Sequence, residues 1–252
     1  MISNTLLICK ASHRLPSIVI IGLLFLVTAF NGAVADTYKK PIRVLIVGGG
    51  SSHDFDRWYK KVDTQTLEKR KFSEVRYTDN TDSIAHYLQD TDVLYLTNNQ
   101  PIPNKEARKA IFEFARQGKG IVLGHAALWY NWQDWPEYNQ KLVSGGSRGH
   151  DPYGKFQVNI VDSKHPLTRK IKSFSLEDEL YYFKSDASGP GIKVLAEAVN
   201  PEKGERFPSV FIINHPEARI AAIALGHDGA AHELKAYQRL LRNAVSWAAA
   251  SQ

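Results

Sequence analysis

Histidine is the side chain best suited to both metal ligation and proton transfer near neutral pH, and this chain has nine. Four sit beside glycines, in Gly48-Gly49-Gly50-Ser51-Ser52-His53-Asp54, Gly124-His125-Ala126-Ala127, Gly145-Gly146-Ser147-Arg148-Gly149-His150-Asp151 and Gly226-His227-Asp228. Neutral imidazoles at His53, His125, His150 and His227 could hold a divalent ion with an open coordination position. Glu177-Asp178-Glu179-Leu180-Tyr181 supplies carboxylates. Asp178 or Glu179 could complete the metal shell, or pair with His125 as general acid and base without a metal. Aromatic residues crowd the stretch after His125: Trp129, Tyr130, Trp132, Trp135 and Tyr138. Such rings pack on the apolar faces of sugars, or they simply cap a core. Trp129, Trp132, Tyr181 and Arg148 are the candidate substrate-binding residues. His165 and His215 each precede proline and read as turn residues; His86 and His232 read as surface helix positions.

Several chemistries are excluded. A dinucleotide-binding turn needs a glycine three residues after Gly50, where this chain has His53, so no nucleotide cofactor is expected. The single cysteine is Cys9, which removes disulfides and a thiolate nucleophile from the remainder. The formal net charge is +6 in 252 residues, with only short basic clusters such as Lys69-Arg70-Lys71, so no nucleic-acid partner is expected.

The positioning elements follow from hydrophobic periodicity. Strands are expected over 42–47, 74–78, 92–97 and 120–123, alternating with helices over 55–69, 83–88 and 105–116. That alternation implies a mainly parallel sheet with helices on both faces, in three layers. Ligands in such sheets bind beyond the carboxyl ends of the strands, here 48–54, 97–100 and 124–129. His125 then occupies a sharp strand-to-helix turn flanked by small residues, like a nucleophile elbow. Further strands are expected over 155–161, 192–198, 209–213 and 220–225, with a closing helix over 234–250. Residues 1–35 form an expected signal peptide: Lys10 and Arg14, the apolar run Ile18 to Phe30, then Ala33 and Ala35 at signal-peptidase spacing. The run is too short to span a bilayer. The expectation is an exported protein, periplasmic or extracellular, with one domain over 36–252 and no stable membrane insertion after cleavage.

Taken in order, these segments resemble the ThuA-like (trehalose utilisation) domain family, itself similar to the class I glutamine amidotransferase fold. The resemblance rests on the glycine turn with His53, Gly120 to Ala127, Gly145-Gly146 with His150, His165-Pro166-Leu167-Thr168, Asp178-Glu179-Leu180-Tyr181, Gly226-His227-Asp228 and the terminal Trp247-Ala248. It implies a flavodoxin-like sheet whose elbow carries histidine in place of the amidotransferase cysteine, so this is not a Cys-dependent amidotransferase. It also implies a carbohydrate partner, including oxidised (keto) disaccharides. The expected function is acid–base chemistry on such sugars, with a divalent metal as candidate cofactor. The alternatives are a non-catalytic sugar-binding domain and a scaffold used for protein contacts.

Overall fold

The computed structural model describes residues 40–129 and 132–250. The expected signal peptide, with Cys9, and Tyr130 of the aromatic stretch lie outside the described residues. The parallel half of the sheet is built from β1 (Ile42–Val47), β2 (Ser73–Thr78), β3 (Val93–Leu96) and β4 (Gly120–Gly124). Between β1 and β2 a π-helical segment, Asp56–Asp63, runs directly into α1 (Thr64–Glu68). Between β2 and β3 lies α2 (Ile84–Tyr87), and between β3 and β4 lies α3 (Lys105–Arg116). The Asn104 side chain caps α3 by accepting from the Ala107 N–H at 3.1 Å, a contact worth about 1 kcal/mol.

The later chain forms β5 (Gly145–His150), β6 (Gly154–Ile160), β7 (Phe174–Asp178), β8 (Tyr181–Ser185), β9 (Ile192–Val199), β10 (Arg206–Ile213) and β11 (Ile220–Ile223), then α4 (Gly229–His232) and α5 (Lys235–Ala248). The sheet order is β2-β1-β3-β4-β11-β10-β9-β6-β7, with β5 and β8 paired separately. Strands β2 to β11 in that order are parallel, and the rest are added antiparallel. The expected mainly parallel sheet is therefore present, with an antiparallel extension.

Alternation along β1 divides the core. Val44 and Ile46 pack on one face with Leu67 of α1 and Leu240, Leu241 and Val245 of α5. Leu45 and Val47 pack on the other with Ile84 of α2 and Ile111 and Phe114 of α3. This two-residue period is what places helices on both faces. Strand β7 lies four strands from β11, about 19 Å at ordinary strand spacing. Yet Asp178 at its end accepts hydrogen bonds from Gly226 and His227 just beyond β11. The antiparallel half thus curls back, and brings the carboxylate triplet to the carboxyl ends of the parallel strands. Among the described residues, no helix is long and apolar enough to cross a membrane.

Candidate metal centre

Three imidazoles and one carboxylate converge where β1, β4, β7 and β11 end. One donor atom from each of His53, His125, Glu179 and His227 lies within 4.8 Å of all the others. The His125 Nε2 and His227 Nδ1 atoms are 3.4 and 3.3 Å from Glu179 Oε2. Tetrahedral donors about 2.1 Å from a zinc-sized ion stand about 3.4 Å apart. The site is thus close to ligating dimensions.

Local backbone explains each position. Gly49 and Gly50, with φ of 100° and 130°, let the chain turn tightly after β1. A side chain at Gly50 would overlap Asn99. Asn99 grips the turn twice: its Oδ1 accepts from Ser51 N–H at 2.9 Å and its Nδ2 donates to Ser51 O at 2.8 Å. The same Ser51 carbonyl receives His53 Nδ1 at 3.0 Å. His125 follows β4 with φ of 31°, a left-handed conformation costly for a residue with a Cβ. Its Nδ1 is 2.8 Å from Ala224 O, and its ring stacks on Tyr181 with centroids 4.3 Å apart.

The tautomers follow. A carbonyl only accepts, so Nδ1 of His53 and of His125 carries the proton. In the neutral ring, each Nε2 then offers a lone pair to the cluster. His53 Nε2, His125 Nε2 and His227 Nδ1 are all buried without a hydrogen-bond partner. Buried polar atoms are rarely left so. Three such atoms around one carboxylate form a donor set that could hold a metal ion, with backbone carbonyls fixing the His53 and His125 rings from behind.

Burial, then the neighbouring His125, push His53 down to about 4, which keeps it neutral. Burial raises Glu179, but His125 and His227 outweigh it and hold the carboxyl well below its usual range. The Glu179 carboxylate in turn raises His227.

The other sequence-derived candidates divide. His150 stands at the rim: its Nε2 is 3.8 Å from Glu179 Oε1, its Nδ1 donates to Asp151 O at 2.7 Å, and its side chain is 34% exposed. It falls outside the four-donor cluster. Asp178 is fully buried and its oxygens are taken up by main chain, accepting from Glu179, Gly226 and His227 N–H groups at 2.8 to 3.1 Å. Burial raises its carboxyl. It positions Glu179 and His227. Trp129, His150, Glu179, Tyr181 and Asn99 line a cavity of about 300 Å³ over the cluster. Trp132 does not. It is buried against Trp135 and Tyr138, in the capping role weighed for these rings. Arg148 is exposed and lies outside that cavity.

His232 corrects the sequence reading. Its helix, α4, is only one turn long, and the ring points inward and is fully buried. Its Nδ1 is 2.7 Å from Asp63 Oδ1 and its Nε2 is 3.0 Å from Gly226 O. Both partners accept, so both nitrogens donate and the ring is an imidazolium. Burial opposes that charge, but Asp63 outweighs it and raises the group. Tyr95 and Tyr237 donate to Asp63 Oδ2 at 3.1 and 3.3 Å, and Tyr59 donates to Gly226 O at 2.6 Å. Asn99 and Asp63 were not singled out from sequence. Asn99 lay within an expected strand end, whereas nothing in the helix containing Asp63 marked it.

The fold is similar to that of class I glutamine amidotransferase-like proteins, here with His125 at the elbow position. The glutamine amidotransferase of Thermotoga maritima superposes with a TM-score of 0.54 at 11% identity, covering 83% of this chain and 99% of that one. ThuA-like proteins superpose better. That of Parabacteroides merdae gives 0.71 at 22% identity over 83% of this chain and 90% of that one. That of Bacteroides uniformis gives 0.70 at 20% identity over 86% and 95%. The sequence profile of the ThuA, or trehalose utilisation, family matches residues 43–248. The chain belongs to that family. No curated protein matches it in sequence.

Proposed function

We propose that the protein is an exported, metal-assisted enzyme acting on sugars, with oxidised (keto) disaccharides as the substrate class. The observation that carries this reading is the convergence of three unpartnered, buried imidazole nitrogens on Glu179. His53, His125, His227 and Glu179 would hold a divalent ion, which when bound supplies Lewis acidity toward a sugar carbonyl or hydroxyl. Membership of the trehalose utilisation family supports a carbohydrate-related role. The export proposal rests on the Lys10, Arg14, Ile18 to Phe30 and Ala33-Val34-Ala35 pattern.

The chain's own groups divide the work. Trp129 and Tyr181 give the cavity an aromatic wall on which a pyranose face can lie. Asn99 and Ser51 hold His53 in place. His150, at the rim with Nε2 directed toward Glu179 Oε1, is the group placed to take or return a proton at the substrate. Asp178 does not move protons in this scheme; its oxygens are occupied by main-chain N–H groups.

The test is turnover of keto-disaccharides before and after chelation, with re-addition of zinc, manganese or cobalt. Loss and recovery support the proposal; unchanged turnover removes the metal's role. His125→Ala separates the second reading, a sugar-binding domain, which the Trp129 wall favours. A folded variant that still binds sugar but no longer turns it over supports the enzyme. No turnover by the parent protein, with sugar binding retained in the variant, supports the binding domain.

A further inference from the structure

A second concavity, away from the imidazole cluster, is lined by cations. It is a groove of about 670 Å³ between α1, the turn at 169–170 and α5. Lys69 and Arg70 line it from the end of α1, Arg169 and Lys170 from the turn, and Lys235, Arg239 and Arg242 from α5. No carboxylate lines it. The formal net charge is +6, so these seven cations leave the remainder of the chain near neutrality.

The cations are built in. Arg242 Nη1 donates to Thr66 O at 2.9 Å and Lys69 O at 3.1 Å, and its guanidinium lies 4.2 Å over the Phe72 ring. Arg239 Nη1 reaches Lys170 O at 3.3 Å. Arg70 and Lys170 hold left-handed backbone, with φ of 61° and 63°, at some cost for residues with a Cβ. Burial, then the charge of Arg70, lower the Arg242 guanidinium. Like charges are thus held together, and an anion would relieve the repulsion. Gln65, Gln238 and Asn243 add neutral polar groups, while no aromatic ring lines the groove on which a base could stack. That combination suits phosphate oxygens rather than nucleobases.

We propose that this groove binds a ligand bearing two or more phosphate groups. The chemistry is shared by a soluble polyphosphorylated molecule and by clustered phospholipid headgroups. The experiment uses the full chain. Inorganic tripolyphosphate is titrated by calorimetry, and co-sedimentation is measured with vesicles of phosphatidylglycerol in phosphatidylcholine and of phosphatidylcholine alone. Saturable binding that weakens as salt rises is expected in at least one arm. Tripolyphosphate binding assigns the soluble source; binding to phosphatidylglycerol vesicles without it assigns the headgroup. The Arg70→Glu/Lys170→Glu variant should bind about tenfold more weakly, with metal content at the imidazole cluster unchanged. Should that variant not fold, Lys69→Glu/Lys235→Glu serves in its place. No saturable binding in either arm, or binding indifferent to charge reversal, overturns the proposal.

Discussion

Two imidazole–carboxylate groupings lie on either side of Gly226, and they are built to opposite ends. At His232 both ring nitrogens are bonded, Asp63 receives two tyrosine hydroxyls besides, and the whole is fully buried. At His53, His125 and His227 one nitrogen of each ring is buried and unbonded, and all three face Glu179. A satisfied buried network rigidifies a fold. An unsatisfied one stores a cost that a ligand can repay. The carbonyl of Gly226 accepts from the closed network, while its N–H and that of His227 donate to Asp178 beside Glu179. The first grouping therefore serves as the footing of the second.

The largest expected effect breaks the open grouping. Glu179→Gln removes the charge at its centre. Turnover of keto-disaccharide should fall about a hundredfold or more, and the ion should be lost. Stability without metal should change by less than about 1 kcal/mol in a denaturant titration. The closed grouping should respond in reverse. Asp63→Asn leaves a buried imidazolium without its counter-charge, and should cost about 3 kcal/mol in the same titration while the ion remains bound at one per chain. If Asp63→Asn instead empties the metal centre in a folded protein, the two groupings act as one.

Smaller effects sharpen the contrast. Trp129→Ala should raise KM for sugar about tenfold with metal content unchanged, because Trp129 lines the cavity without belonging to the donor cluster. A pair outside both groupings sets the lower end. The Arg43 guanidinium holds Asp92 down to about 2. A carboxyl depressed by folding stabilises the protein above its ordinary range near 4, and that contribution is lost as pH falls through about 2. Arg43 is half exposed, so Arg43→Ala should cost no more than about 1 kcal/mol at neutral pH. The difference from the parent should vanish by the acid end of a pH series of melts.

The parallel half of the sheet was legible because Val44, Leu45, Ile46 and Val47, and the strands like them, alternate between two helical layers. Glycines at strand ends marked His53, His125 and His227, since a tight turn leaves a signature in composition. Strands β5, β7 and β8 were not legible: glycine dominates β5, and β7 and β8 carry charges at their ends. Which of Asp178 and Glu179 faces the imidazoles depends on how far the antiparallel strands curl, a property of the whole sheet. His150 looked equivalent to the other three, but its ring stops at the rim because its Nδ1 is tied to Asp151 O. His232 was read as a surface residue because a single-turn helix has no periodicity to show which side is buried.

The most direct test of the central claim is the metal stoichiometry of the purified full chain. It is stripped with chelator, re-exposed to zinc and dialysed, then measured by plasma mass spectrometry beside His125→Ala. The expected result is one ion per chain in the parent and none in the variant. A parent chain that retains no ion, or a variant that retains as much, would contradict the account.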